Sequence, residues 1–142
     1  MILIERIYEG RYLKDEAIEV SIFMSPLNVH VNRAPCDSIV ESVVHTPGRF
    51  LSAFKKDASL YNDNIAMLLN TRFGKVLVRQ VAGSIARRAV CRVKAGDKLA
   101  KGERFGIIKF SSRLDLYLPK DTHLKIKLGD KVRAGETIIG II

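Results

Sequence analysis

The chain has 142 residues, 47% hydrophobic and 27% charged, which suits one globular domain with its own core. No run approaches the ~18–20 uninterrupted apolar residues a membrane-spanning helix requires. Glu5, Arg6, Glu9 and Arg11 break up the first stretch, which is expected to be neither signal peptide nor anchor. The formal net charge of +9 attracts polyanions and fits nucleic acid and an anionic lipid surface alike. With 7% aromatic residues, no tryptophan and no aromatic-interleaved basic motif, a nucleic-acid partner is not expected.

In chain order, Ile2–Tyr8 and Ala17–Met24 alternate apolar and polar residues and are rich in β-branched side chains, so both read as strands. Pro26, Pro35 and Pro47–Gly48 mark turns. A short helix is expected near Phe50–Ser59. Lys75–Val81 returns to period two and reads as a strand. A second short helix is expected over Ser84–Val90, with Ser84 as its cap and Ala86, Arg87, Arg88 and Ala89 as helix formers.

The C-terminal third contains an internal repeat. Val93–Ile108 recurs as Ile126–Ile142, with Gly96, Asp97, Lys98, Gly102 and Glu103 matched by Gly129, Asp130, Lys131, Gly135 and Glu136. Each copy predicts a strand, a Gly-Asp turn, a short arm, a Gly-Glu turn and a strand. The glycines supply positive φ, and the aspartate side chain bonds nearby backbone. The pattern resembles the barrel-sandwich hybrid of biotinyl and lipoyl carrier domains. The expected fold is therefore mainly β with one or two short helices, a barrel-sandwich-hybrid-like body containing a duplicated hairpin repeat. Lys109–Lys120, between the two copies, is where chemistry could sit.

Cys36 and Cys91 stand far apart outside any CxxC pattern and read as buried structural thiols of a reducing compartment. His30, His45 and His123 are dispersed with no second ligand at helical spacing, so no metal site is expected. His45, in His-Thr-Pro-Gly, reads as shaping a turn.

Phe23-Met-Ser-Pro-Leu-Asn-Val-His-Val-Asn-Arg-Ala-Pro35 resembles the Phe-x-Ser-Pro-x-(Asp/Asn)-x-His-x-x-(His/Arg)-x-Pro signature of phosphatidylserine decarboxylases, in the form of their short, archaeal-type branch. His45-Thr-Pro-Gly-Arg-Phe50, Gln80-Val-Ala-Gly-Ser-Ile-Ala-Arg-Arg88 and Gly102-Glu-Arg-Phe-Gly-Ile-Ile-Lys-Phe110 resemble further blocks of that family, in the same order. The similarity spans essentially the whole chain.

The resemblance implies a single domain, 1–142, made as a proenzyme that cuts itself between Ser111 and Ser112. The products would be a β chain (1–111) and an α chain (112–142), an α/β heterodimer that could pair again. Ser112 would attack the Ser111 carbonyl and become the pyruvoyl cofactor, which forms a Schiff base with phosphatidylserine and serves as electron sink for its decarboxylation to phosphatidylethanolamine. His30 would be the acid/base. Arg33, Arg87 and Arg88 are candidates for the substrate's phosphate or carboxylate, whose paired oxygens suit a guanidinium fork. The implied location is peripheral on the cytoplasmic side of the cell membrane, against an anionic membrane surface.

The match departs from the family in three places. Ser111 stands where glycine is usual, and its Cβ restricts the backbone at the attacked carbonyl. The family's N-terminal block, with an Asp-Gly turn whose aspartate is thought to orient the catalytic histidine, is absent, so the chain is expected to be N-terminally truncated relative to the family. The family's Asn-Glu-Arg-Asn reads Asn62-Asp-Asn-Ile65, and an expected glycine after Pro35 is Ser38. Two other functions stay open at this stage: a catalytically silent, lipid-binding relative, and a biotinyl- or lipoyl-like carrier module.

Overall fold

A computed structural model describes residues 2–24, 29–48, 62–82, 89–109, 112–125 and 140–141. The described residues form twelve strands and no helix. These are β1 (Ile2–Glu9), β2 (Asp15–Met24), β3 (Val29–Arg33), β4 (Ser38–Thr46), β5 (Asn64–Thr71), β6 (Gly74–Ala82), β7 (Ala89–Cys91), β8 (Lys98–Leu99), β9 (Arg104–Lys109), β10 (Ser112–Pro119), β11 (His123–Leu124) and β12 (Gly140–Ile141).

The strands predicted over residues 2–8, 17–24 and 75–81 are β1, β2 and β6, each slightly longer than expected. Their alternation has a direct cause. Successive side chains of a strand point to opposite faces, so a sheet apolar on at least one face imposes period two on its sequence. The strands join into a seven-stranded sheet in the order β1-β2-β10-β6-β5-β4-β8, a three-stranded sheet in the order β3-β9-β7, and the pair β11-β12. All pairings are antiparallel.

The main core lies on one face of the large sheet. Ile18, Val20, Met67, Leu69, Val76, Val78, Leu114, Leu116 and Leu118 pack there against Phe105 of β9 and Leu99 of β8, with Cys91 of β7 at its margin. Each such side chain contributes roughly 1.5–3 kcal/mol by leaving water. The opposite face of the large sheet carries a smaller apolar group, Ala17, Ala66, Leu68, Leu77 and Tyr117, to which Ile7, Tyr12 and Leu13 are added from the edge.

The first copy of the repeat has the expected turn, short arm (β8), turn and strand (β9), but its opening residues Val93 and Lys94 are not strand, since β7 ends before them at Cys91. Gly96 (φ 95°) and Gly102 (φ 81°) take the left-handed conformation at the two turns. The Asp97 carboxylate accepts the Lys94 amide at 2.9 Å, and Glu103 accepts the Ala100 amide at 3.1 Å. All of the second copy except Gly140–Ile141, and the helix expected near Phe50–Ser59, lie outside the described residues. The helix expected over Ser84–Val90 is corrected at its end. Ala89 and Val90 belong to β7, where they pair with Ile108 and Ile107 of β9. Local helix propensity of this Ala/Arg stretch yields there to long-range strand pairing.

Candidate functional site

Three connections cross from the large sheet to the small one at the same end. β2 finishes at Met24 and β3 begins at Val29. β6 finishes at Ala82 and β7 begins at Ala89. β9 finishes at Lys109 and β10 begins at Ser112. The registers align these crossings. Ser112 lies between Met24 on one side and Ala82 on the other. In the small sheet, Val29 faces Lys109, and Ile108 lies between His30 and Ala89. The facing ends of β9 and β10 are thus the middle of three such pairs of strand ends, flanked by those of β2 and β3 and of β6 and β7.

The sequence blocks singled out above therefore converge. Of these blocks, Phe23, Met24 and Val29–Arg33 lie on one flank, Gln80–Ala82 on the other, and Arg104–Lys109 forms the central strand of the small sheet. The fourth block arrives beside them, because Thr46 at the end of β4 faces Asn64 and Asn64 faces Val81. Lys109–Lys120, read as the place for chemistry, is the end of β9 followed by a central strand of the large sheet.

Of the candidate residues, Ser112 and His30 have their backbones at this crossing. Arg33 closes β3 at its opposite end, beyond a register shift, and its Nη1 donates to the Gly102 carbonyl at 2.9 Å. The structure does not bring Arg33 to the crossing. Ser111, Arg87 and Arg88 lie outside the described residues.

The strand ends beside Ser112 are held by groups the sequence reading did not assign. The buried Asn62 donates from Nδ2 to the Ala82 carbonyl at 2.7 Å, and the Ala82 amide donates to the Asp63 carbonyl at 3.0 Å. Asn64 Nδ2 donates to the Asn62 carbonyl at 2.9 Å. His45 is more than a turn former, since its Nε2 lies 3.0 Å from both carboxylate oxygens of Asp63.

Immediately after Ser112 begins a buried polar cluster. Arg113 and Asp115 are 2% and 0% exposed and meet as a fork, with Nε 2.8 Å from Oδ1 and Nη2 3.1 Å from Oδ2. Ser21 hydrogen-bonds Asp115 from the neighbouring strand. Arg79 donates to the Tyr117 hydroxyl at 3.1 Å, and its guanidinium lies over the Tyr117 and Tyr12 rings. The Arg113 guanidinium lies 5.9 Å from the centre of the Phe23 ring. Burial raises the carboxyl of Asp115, against the opposing pull of Arg113. Glu19 is raised by burial and by the charge of Asp115. Tyr117 is driven strongly upward by burial and the same carboxylate, so it stays a protonated hydroxyl. The available signal was Arg113-x-Asp115-x-Tyr117 interleaved with Leu114-x-Leu116-x-Leu118. It announces a strand with one polar face, but not that this face is covered.

These features define an antiparallel β protein of two main sheets and a strand pair, in which β9, central in the small sheet, is followed directly in the chain by β10, central in the large one. The family model described as phosphatidylserine decarboxylase matches residues 6–140. A phosphatidylserine decarboxylase proenzyme of Desulfotalea psychrophila is 48% identical over 143 residues, covering 100% of this chain and 67% of that protein. One of Geotalea uraniireducens is 48% identical over 132 residues, covering 92% and 62%, and one of Amoebophilus asiaticus is 42% identical over 143 residues, covering 100% and 64%. No solved structure is significantly similar. The chain belongs to the phosphatidylserine decarboxylase family. It spans about two thirds of the length of the curated relatives it matches. None of these matches supports the narrower assignment to an archaeal-type branch.

Proposed function

We propose that the protein is a phosphatidylserine decarboxylase that cuts itself between Ser111 and Ser112 and carries a pyruvoyl group at position 112. The supporting observation is that each side of this bond has its own anchorage. Upstream, β9 is held between β3 and β7; downstream, β10 is held between β2 and β6. A cut between them would leave both new ends tied in place. Position 112 fits such a group for the same reason, as the first residue of a strand paired along both edges.

In the proposed cleavage, the Ser112 hydroxyl attacks the Ser111 carbonyl and the acyl group passes from nitrogen to oxygen. Loss of the Cα proton of residue 112 then expels the Ser111 carboxylate, which ends the β chain and leaves dehydroalanine at position 112. Tautomerisation and addition of water release ammonia and leave a ketone. His30 is the proposed base for the hydroxyl proton, imidazole being the side chain suited to proton transfer near neutrality. Its backbone is paired with Ile108, just upstream of the bond. A pyruvoyl group at position 112 supplies an electron sink for the carbon that loses carbon dioxide. Arg87 and Arg88 are proposed to hold the anionic head group, since their connection starts at Ala82, beside Ser112. Arg33 is the weaker candidate because its guanidinium is engaged at the other end of β3.

The substrate read in this way is phosphatidylserine, met from the side at the anionic cytoplasmic surface of a membrane, and the product is phosphatidylethanolamine. The processed form would be an α/β heterodimer of residues 112–142 and 1–111. Denaturing electrophoresis with intact mass tests this. Two fragments are expected, the smaller with a blocked N-terminus, together with loss of cleavage and decarboxylation in Ser112→Ala. Ser111 in place of glycine favours a second reading, a catalytically silent relative. A chain that stays whole and unmodified at neutral pH would establish that reading instead.

A further inference from the structure

The polar cluster on β10 contributes little that the sheet requires for stability. Buried ion pairs can often be replaced by apolar residues of similar volume without loss, because removing two charges from water offsets most of their attraction. What the cluster contributes is position. A one-residue slip of β10 is already excluded, because it would turn Leu114, Leu116 and Leu118 out of the main core. A two-residue slip is opposed less strongly by hydrophobicity, since two of the three leucines would take another's place and only the third place would pass to Ser112 or Lys120. Such a slip would carry Ser112 roughly 7 Å along the sheet, away from Met24 and Ala82.

The charges exclude it. In the observed register, Asp115 faces Arg79 on β6 and Ser21 on β2, and Tyr117 faces Glu19. Slipped one way, Asp115 would take the place of Tyr117 and face Glu19 and Leu77, while Arg113 would face Arg79, so like charges would meet at both. Slipped the other way, Asp115 would keep Arg113, which moves with it, but would leave Arg79 and Ser21 for a place between the apolar Phe23 and Val81. The first case sets buried like charges against each other and the second takes a buried carboxylate from its cross-strand partners, and both are unfavourable.

We infer that Arg79, Arg113 and Asp115 form a register key for β10, positioning residues that fix where Ser112 stands without touching the reacting atoms. This rests on the reading that the Ser111–Ser112 bond is cut, and it matters most afterwards, when β10 would have no covalent link to β9.

The test uses the full chain with Arg79→Met, Arg113→Met and Asp115→Leu. In a Ser112→Ala background, which keeps one chain throughout, cross-strand backbone NMR contacts report the register. We expect a second set of contacts, with Leu114 or Leu118 opposite Val78, beside the native Leu116 set. Only the native set would overturn the key. With Ser112 restored, self-cleavage is expected to slow tenfold or more relative to the unaltered chain, as misplacement of a reacting group predicts. Cleavage at the unaltered rate would also overturn it. If the unaltered chain never cleaves, the proposed function fails, while the register measurement still decides the key. Should the triple variant not fold, Asp115→Asn, which keeps shape and drops the charge, is read by the same two measurements.

Discussion

Gln80 of β6 reaches across the space between the sheets to Asn32 of β3, with Nε2 2.8 Å from Oδ1, and the same amide donates to the Val90 carbonyl at 3.2 Å. Gln80 and Asn32 are 1% and 2% exposed, so this amide is a dry tie between the large sheet and the small one. Gln80→Leu keeps the volume but strands the buried Asn32 acceptor and a part-buried one, the Val90 carbonyl. A loss of about 1–3 kcal/mol is expected, read as a lower urea midpoint with unchanged slope.

Gly106 sits directly beneath that tie. A Cβ there would run into the Val90 carbonyl oxygen and lie 2.7 Å from Gln80 Nε2. The β9 backbone approaches β7 and β6 this closely only without a side chain. Gly106→Ala is expected to destabilise by about 1–3 kcal/mol, the range for overpacking, measured by thermal unfolding. Stability equal to the unaltered protein would show that the two sheets can separate freely.

Glu19 gives the fold a pH dependence of definite sign. Its carboxyl is raised above the ordinary 4.5, first by burial and then by the charge of Asp115. The folded state therefore favours the protonated form. Stability should be greatest below about 4.5 as far as this group is concerned, fall as pH rises through the raised folded value, and level off above it. Glu19→Gln should flatten the fall, leaving the similar contribution of Asp115. Unfolding free energies from pH 4 to 8 check this, and an unchanged slope would remove Glu19 as its source.

Ser111→Gly is expected to accelerate self-cleavage, because glycine lifts the φ/ψ restriction that a Cβ places on the attacked carbonyl. A time course on denaturing gels gives the rate. A rate unchanged or slower would count against backbone restriction as the cause.

What could be read from the sequence followed its local regularities. The alternation over Ile2–Tyr8, Ala17–Met24 and Lys75–Val81 translated directly into strands. Gly96 and Gly102 announced turns that the structure builds with positive φ. Multi-residue blocks such as Phe23–Pro35 carried the family. Long-range pairing was invisible. Ala89–Val90 looked helical because nothing local reveals that β9 lies alongside. The alternation of Arg113 and Asp115 with Leu114 and Leu116 separates two faces of a strand without saying what covers the second. Gln80 and Asn32 are far apart in the chain, and neither hints at the other. The placing of Ser112 between Met24 and Ala82 belongs to strand order, which is a property of the assembled sheets.

The place of β10 in that order has a mechanical consequence. Lifting out residues 112–119 would part the large sheet into a ribbon, β1-β2, and a four-strand remnant, β6-β5-β4-β8. Residues 112–119 are accordingly a keystone and not an appendage. Expressed separately, neither length can satisfy its own ladder. Severed in place, the two should still melt together in a single cooperative transition, as one body with a nick.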